Sequence, residues 1–218
     1  MIKKNTIFWD DDTQYDFMRP EGTLYVPDAE SIIDKISKIR KFALENGFSI
    51  IASTDWHSLE DEEISNQPDY KQTYPPHCIA NQKGAERVGY LGNIEIGYID
   101  NSRMSQEQLH KLVESEQFHI VIRKNDVDVF TNPNTEPLLD LIKPETVIIF
   151  GVALDVCVSI SAHDLLKYGK AELIILADAV KGLGQKPDSE ILAELQQKGV
   201  KISSFSKLNN ILKVYQQA

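Results

Sequence analysis

The stretch TVIIFGVALDVCVSISAHDLLKYGKAELIILA, residues 146–177, contains the pattern that decides the fold. Residues 146–150 are an apolar run that predicts a buried strand, and residues 155–168 place apolar side chains at helical spacing until Gly169 ends the helix. Residues 173–177 predict the next strand. A strand, a helix and a second strand in this order form a βαβ unit, whose two strands lie parallel in one sheet.

The same alternation of short apolar strands and amphipathic helices extends over the chain on both sides of this unit. It predicts a three-layer α/β/α architecture with a mostly parallel, doubly wound sheet. No linker or internal repeat divides the sequence, so we expect one domain over residues 1–218. The remaining predicted strands cover residues 6–9, 48–53, 94–99, 119–122 and 200–203. The remaining predicted helices lie between residues 28 and 47, 105 and 113, 135 and 142, and 188 and 198, with a last helix from Lys207 onward.

The overall charge argues against two classes of partner. The chain carries 33 acidic and 23 basic residues, a formal net charge of -10, which disfavours nucleic acid and anionic membrane surfaces. No run approaches the ~18 apolar residues of a membrane span, and the first residues lack the apolar core of a signal peptide. A cytoplasmic location is the default expectation. Two cysteines are too few for a disulfide framework, so each is read as packing, metal ligation or chemistry.

Polar side chains follow four of the predicted strands at the point where each strand ends. They are Asp12, the pair Asp55 and His57, Lys124, and the turn from Gly151 to Cys157. Ligands of such sheets bind beyond the carboxyl ends of the strands. We therefore expect these residues, although far apart in sequence, to meet along one edge of the sheet.

Cys157 lies near the start of a predicted helix, where backbone N–H groups and the helix dipole favour a thiolate or an oxyanion. The alternative is a small apolar side chain packed under the sheet. Asp12 could take the thiol proton and return it to a leaving amine, and Lys124 could supply positive charge. Acids after a strand can equally form a solvated turn or a Mg²⁺ site, and Lys124 alone would be read as a surface lysine.

Four residues offer metal ligands around the second predicted strand end. Asp55 and His57 are two residues apart, Glu63 follows six residues later, and His77 lies further on. Nitrogen and oxygen ligands in this mixture suit Zn²⁺, Fe²⁺ or Mn²⁺ better than Ca²⁺. The spacing alone is weak, since His57 could satisfy a buried hydrogen bond and the acids at 60–63 could be a solvated loop.

Several motifs together resemble the nicotinamidase and isochorismatase superfamily of cysteine hydrolases, and within it nicotinamidases most closely. Asp12-Thr-Gln-Tyr-Asp-Phe17 resembles the opening motif of these enzymes, and Thr54-Asp-Trp-His57 and Tyr74-Pro-Pro-His-Cys78 resemble their metal segments. Residues 151–158, GVALDVCV, resemble the nucleophile loop. The motifs occur in the family's order and span most of the chain, although residues 86–117 match nothing in the pattern.

The resemblance implies a role for each of these positions. Cys157, Asp12 and Lys124 correspond to the catalytic triad, and a cis peptide between Val152 and Ala153 would direct the Ala153 and Cys157 N–H groups at the oxyanion. The implied cofactor is one divalent metal ion, Zn, Fe or Mn. Glu63 stands where histidine is usual, which would shift preference toward Fe²⁺ or Mn²⁺. The implied ligands of the metal ion are Asp55, His57, Glu63 and His77. Phe17, Tyr74 and Val152 would contact the substrate. Cys78 would have no role in the reaction.

The implied activity is hydrolysis of a small amide, foremost nicotinamide to nicotinate in NAD metabolism, by a self-associating enzyme. In that interpretation the metal holds the pyridine nitrogen. A first alternative is a related hydrolase of another amide, a carbamoyl compound or an isochorismate-like vinyl ether, although Cys157 weighs against the vinyl ether. A second alternative is a catalytically silent protein that binds a metal or a partner, against which the presence of the complete triad argues.

Overall fold

A computed structural model describes residues 6–169, 171–208 and 212 of the chain. The described residues form one sheet whose strands run in the order β3-β4-β2-β1-β5-β6-β7, and every neighbouring pair is parallel. The expected doubly wound sheet is confirmed. Its strands are β1 (Thr6–Asp11), β2 (Ser49–Asp55), β3 (Ile96–Ile99), β4 (His119–Lys124), β5 (Thr146–Val152), β6 (Glu172–Lys181) and β7 (Lys201–Ser203).

Helices cover both faces of the sheet, because successive side chains of each buried strand point to opposite faces. Phe8 of β1 packs with the helix α2 in one core, and its neighbours Ile7 and Trp9 pack in a second core against α3 to α6. The three layers are therefore confirmed. The helices are α1 (Tyr15–Met18), α2 (Ile33–Glu45), α3 (Gln106–Leu112), α4 (Thr135–Ile142), α5 (Ser159–Tyr168) and α6 (Asp188–Gln197). In the described part of the chain, no helix is both long and apolar enough to cross a membrane.

Two predicted helix starts differ from the structure. Asp28 does not cap a helix with its side chain, because its φ is 64° and its carboxylate pairs with Lys181. Residues Ala29–Ile32 form a 3-10 turn before α2 begins. Helix α5 begins at Ser159 because a π-helical turn, Leu154–Val158, precedes it. The helix predicted from Lys207 lies mostly outside the described residues.

The topology determines where a site can form. From β1 the chain builds one half of the sheet through β2, β3 and β4, and then returns to the other side of β1 with β5. The strands β4, β2, β1 and β5 are consequently neighbours, and β1 and β5 flank the point at which the strand order reverses. Crevices at such switch points, beyond the carboxyl ends of the strands, are the usual ligand sites of this architecture.

Candidate active site

Asp12, Lys124 and Cys157 meet at this switch point. Asp12 follows β1, Lys124 is the last residue of β4, and Cys157 lies in the π-helical turn after β5. The Lys124 Nζ atom lies 3.0 Å from Asp12 Oδ2 and 4.0 Å from the Cys157 Sγ atom. All three residues are buried, so their mutual interactions are only weakly screened by water.

The protonation of the three groups follows from burial and from one another. Burial raises the pKa of the Cys157 thiol well above its usual value; the Lys124 ammonium opposes this rise, and the carboxylates Asp12 and Asp55 add to it. Burial would lower the pKa of Lys124, but Asp12 and Asp55 hold that pKa well above the ordinary range. Burial also raises the pKa of Asp12, against the effect of Lys124. The resting site thus holds a neutral thiol, an ammonium and a carboxylate with increased basicity.

The position of Asp12 is fixed by its backbone and by one hydroxyl group. Its φ is 45°, and its N–H donates to the Ser53 carbonyl at 3.3 Å. The Ser53 hydroxyl lies 2.7 Å from Asp12 Oδ1. The role of Ser53 could not be predicted from the sequence, because nothing in a strand sequence shows which face meets a neighbouring carboxylate.

Gln14 and Asp16 of the opening motif hold the site together without reaching the thiol. The Gln14 amide donates to the Asp55 carbonyl and accepts from the Asp55 N–H, both at 2.7 Å. Asp16 accepts the N–H of Cys78 at 2.8 Å, beside His77. A Cβ atom on Gly84 would lie only 2.0 Å from Asp16 Oδ2, so this approach requires glycine. The motif therefore joins the segments that carry the metal-type ligands.

The four predicted metal ligands converge on one point beside Lys124. The ligand atoms of Asp55, His57, Glu63 and His77 all lie within 4.8 Å of one another. Asp55 Oδ2 lies 3.3 Å from His77 Nε2 and 3.6 Å from His57 Nε2, while its other oxygen pairs with Lys124. Burial raises the pKa of Asp55, but Lys124 and the two histidines lower it well below the usual value.

The chemistry of this group fits a divalent cation. The Nε2 atom of His57 is buried without a hydrogen-bond partner among the described residues, which is costly unless a metal occupies that direction. The ligand group consists of two imidazoles and two carboxylates, a donor set that suits zinc, iron or manganese. Burial, together with the negative charge of Asp55, raises the pKa of Glu63 to about 7.

Outer partners orient the two histidines for this role. His57 Nδ1 lies 3.2 Å from Asp61 Oδ2, and His77 Nδ1 lies 2.8 Å from the Pro75 carbonyl. Asp61 is itself held by the Ser58 N–H and hydroxyl groups. Metal-bound histidines commonly donate their second N–H to such acceptors. The sequence alone indicates a solvated acidic loop at Asp61. Its spacing of four residues from His57 is the feature from which this contact could have been predicted.

A cavity of about 600 Å³ opens onto Cys157 and the ligand group. The rings of Phe17 and Tyr74 flank His77, with centroids 5.5 and 6.1 Å from its imidazole centroid. Val152, which we expected to contact substrate, is instead fully buried in the core that includes Phe8. Residues lining the cavity include Phe17, Leu24, Val26, Asp55, Glu63, Lys71, Tyr74, His77, Val127, Ala153, Val156, Cys157, Leu183 and Gln185.

The segment between β5 and Cys157 has the local geometry that the resemblance implies. The Val152–Ala153 peptide bond is cis, and the Ala153 carbonyl accepts the N–H groups of Val156 and Val158 at 3.1 Å each. Ala153 and Cys157 both line the cavity. Cys78 is fully buried, with its Sγ atom 3.7 Å from the Gly84 carbonyl, and burial raises the pKa of its thiol well above the usual value.

Fold and site together define a class of α/β protein in which a buried thiol, carboxylate and ammonium lie at the switch point of a parallel sheet. Comparison with known proteins identifies the family. The family described as "Isochorismatase domain" matches residues 99–206, a range that holds Lys124 and Cys157. The nicotinamidase of Escherichia coli K12 is 24% identical over 209 residues, which cover 85% of this chain and 87% of that protein.

Solved structures agree with this assignment. The structure of the Pyrococcus horikoshii pyrazinamidase in complex with zinc is 28% identical, has a TM-score of 0.70, and is matched over 92% of this chain and 99% of that one. An isochorismatase family protein from Desulfovibrio vulgaris shares the fold, with a TM-score of 0.75 and 16% identity over 96% and 98% of the two chains. The present chain belongs to the isochorismatase-like hydrolase superfamily, close to its nicotinamidases.

Proposed function

We propose that the chain, as one hydrolase domain, releases ammonia from a small amide, foremost nicotinamide, through a thioester on Cys157. The broader class is that of amidohydrolases, which act on a carbon–nitrogen bond. One observation supports the proposal most directly. The buried Lys124 ammonium lies 3.0 Å from an oxygen of Asp12 and 4.0 Å from the sulfur of Cys157, which lines the cavity. A nucleophile, a base and a stabilising charge are what acyl transfer requires.

The first step forms the carbon–sulfur bond. Asp12 takes the proton of the Cys157 thiol as the sulfur attacks the amide carbonyl. The raised pKa of the Asp12 carboxyl makes its carboxylate a stronger base, which favours this transfer. The backbone N–H groups of Ala153 and Cys157 are proposed to hold the oxyanion.

The second step breaks the carbon–nitrogen bond. Asp12 donates its proton to the leaving nitrogen, and ammonia departs from the thioester. Lys124 remains an ammonium throughout, because Asp12 and Asp55 hold its pKa well above the usual range. It therefore stabilises Asp12 and the developing charge at sulfur without exchanging a proton.

Water then completes the cycle. Asp12 takes a proton from a water molecule that attacks the thioester carbonyl, and it returns this proton to the departing sulfur. The products are a carboxylic acid and the free Cys157 thiol, so that one amide and one water yield one acid and one ammonia.

Asp55, His57, Glu63 and His77 are the residues that would hold the divalent metal ion. A bound cation would supply a Lewis-acid centre for a nitrogen or oxygen atom of the substrate. Phe17 and Tyr74, which flank His77, would orient a flat ring in the cavity.

The cavity also favours a second candidate, hydrolysis of a larger amide or a carbamoyl compound. The residues that line the cavity include Lys71 and Gln185 as well as the aromatic pair. The cavity volume of about 600 Å³ is large enough for a drug-sized ligand. Lys71 and Gln185 would then contact a polar substituent of the substrate.

The test is ammonia release from nicotinamide, pyrazinamide and a panel of aliphatic, substituted aromatic and carbamoyl amides by metal-loaded protein. Turnover of the pyridine and pyrazine amides supports the first candidate, and turnover of the substituted substrates alone supports the second. Absence of turnover for every amide contradicts both. Sedimentation of the same preparation tests the self-association that we propose from the family precedent.

A further inference from the structure

Asp11 is a fully buried carboxyl group that the proposed mechanism does not use. Three polar atoms lie within hydrogen-bonding distance of its Oδ1 atom: Trp9 Nε1 at 3.0 Å, Ser53 Oγ at 2.9 Å and Ser161 Oγ at 3.0 Å. Its Oδ2 atom is buried and has no hydrogen-bond partner among the described residues. No basic side chain of the described residues forms an ion pair with Asp11. A carboxylate in such a position would be strongly disfavoured.

The hydrogen bonds of Ser53 also require that one of its two neighbouring carboxyl groups is protonated. The Ser53 oxygen lies between two carboxyl groups, 2.9 Å from Asp11 Oδ1 and 2.7 Å from Asp12 Oδ1. A serine hydroxyl has one hydrogen and can donate to only one of them. The other contact is a hydrogen bond only if that carboxyl group carries a proton.

Lys124 decides which carboxyl group holds this proton. Its ammonium lies 3.0 Å from Asp12, so the negative charge is more stable on Asp12 and the proton on Asp11. The Oδ1 atom of protonated Asp11 then donates to Ser53 and accepts from Trp9 and Ser161. Burial and the neighbouring Asp12 raise the pKa of Asp11 to about 8, which agrees with this arrangement.

We propose that Asp11 is a positioning residue that keeps its proton and donates it to Ser53, so that the Ser53 hydroxyl points at Asp12 and holds this base ionised and oriented. This inference rests on the proposed role of Asp12 as the base. Loss of the Asp11 proton to solvent would place a second negative charge beside Asp12 and turn the Ser53 hydroxyl toward Asp11, so that Asp12 Oδ1 would lose its hydrogen-bond donor. The groups facing Asp11 from other elements, Ser53 on β2, Gly151 on β5 and Ser161 on α5, are uncharged, as is Trp9 on β1, so Asp12 is the ionisable neighbour.

The direct test does not require turnover. Carboxyl ¹³C NMR of aspartate-labelled protein is compared between the wild type and Asp11→Asn. We expect a resonance of a protonated carboxyl at neutral pH that is missing from the variant and that titrates near the pKa of about 8. A carboxyl resonance of Asp11 that is already ionised at pH 6 overturns the inference, whatever the enzyme's activity.

Kinetics with an accepted amide give a second, separate measurement. Ser53→Ala should lower kcat about 10²-fold with little change in KM, and Ser53→Thr, which keeps the hydroxyl, should restore most of it. Asp11→Asn cannot ionise, so its kcat should not show the alkaline fall that the wild type shows as Asp11 loses its proton. Equal kcat in Ser53→Ala and wild type, or the same alkaline fall in Asp11→Asn, would contradict the inference while leaving the Cys157 chemistry intact.

Discussion

Asp10 and Asp12, at the end of β1, belong to two buried clusters that differ in the number of cationic side chains beside the carboxyl group. Asp10 contacts two arginines, with Arg40 Nε at 2.7 Å and Arg87 closer still. Burial raises the pKa of Asp10, but the arginines outweigh it and lower that pKa to about 2. Asp12 instead shares a single lysine with Asp55, and its pKa is raised.

The difference shows that the number of neighbouring cations decides whether the pKa of a buried carboxyl group is lowered or raised. Arg40 also donates to the carbonyls of Val88 and Tyr90, so the arginine cluster joins α2, β1 and the 87–90 segment. With its charge fully compensated, Asp10 is a poor base. Asp12, with less compensation, remains able to exchange a proton.

The largest effect that we expect on the catalytic side follows from removing the sulfur. Cys157→Ala should reduce amide turnover on the order of 10⁴-fold or more, because no other group can form the thioester. The measurement is initial-rate ammonia release. Cys78→Ala is the matched control, since it removes the other buried thiol and should retain activity in the folded protein. Comparable losses in both variants would show that Cys157 acts through packing.

In the cluster of Asp10 with its two arginines, removal of a charged group should lower the free energy of unfolding. Arg40→Met leaves Asp10 with one cation fewer and two carbonyl groups without their donor, which should cost about 3–5 kcal/mol in the free energy of unfolding. Urea denaturation measures it. Lys35→Met on the same helix removes a partly exposed pair with Asp178 and should cost less than about 1 kcal/mol. Similar costs for the two variants would refute the contrast between the clusters.

A smaller effect is expected at the metal-type ligands. Asp61→Ala removes the acceptor next to His57 Nδ1 and should weaken zinc binding roughly 10- to 100-fold, because the imidazole loses its orientation and basicity. Competition with a chromogenic chelator measures this affinity. Glu62→Ala changes an exposed neighbour and serves as the control; a tenfold loss there would indicate a general charge effect.

The last expected effect is a difference in the pH dependence of stability. The depressed pKa of Asp10 contributes stability above its unfolded value that is lost as pH falls from about 5 toward 2, worth about 2 kcal/mol. Asp11 has the opposite sign: its pKa is raised to about 8, so stability falls as pH rises from about 4 to that value. Denaturation at several pH values should show that Asp10→Asn removes the acid loss and Asp11→Asn the loss at higher pH. Identical profiles for the two variants would contradict these assignments.

The sequence was sufficient to predict the layers and the meeting of the strand ends, because both depend on local periodicity and on the rule for parallel sheets. It was insufficient where a charged side chain pairs with a distant group that neither a motif nor a strand end marks. Asp28 has the residue type of a helix cap, yet it pairs with Lys181 on β6. Arg40 has the residue type of a helix surface, yet it is fully buried beside Asp10.

The alternation of side chains also explains why the Val152 side chain lies in the core and not at the cavity. The motif placed this residue beside the nucleophile loop, but as the last residue of β5 its side chain points into the core. The opening motif was informative for the same geometric reason. Gln14 and Asp16 bind backbone groups of distant segments, and such contacts depend on residue type at fixed spacing.

The origin of the site on four neighbouring strands has a practical consequence for dividing the protein. A break in the exposed residues 114–116, between α3 and β4, would leave Asp12 and all four metal-type ligands on one fragment and Lys124 and Cys157 on the other. Neither half would contain a complete reaction centre. Restored pairing of β2 with β4 and of β1 with β5 would recreate it, so two such fragments fused to interacting proteins would make an enzymatic reporter of their association.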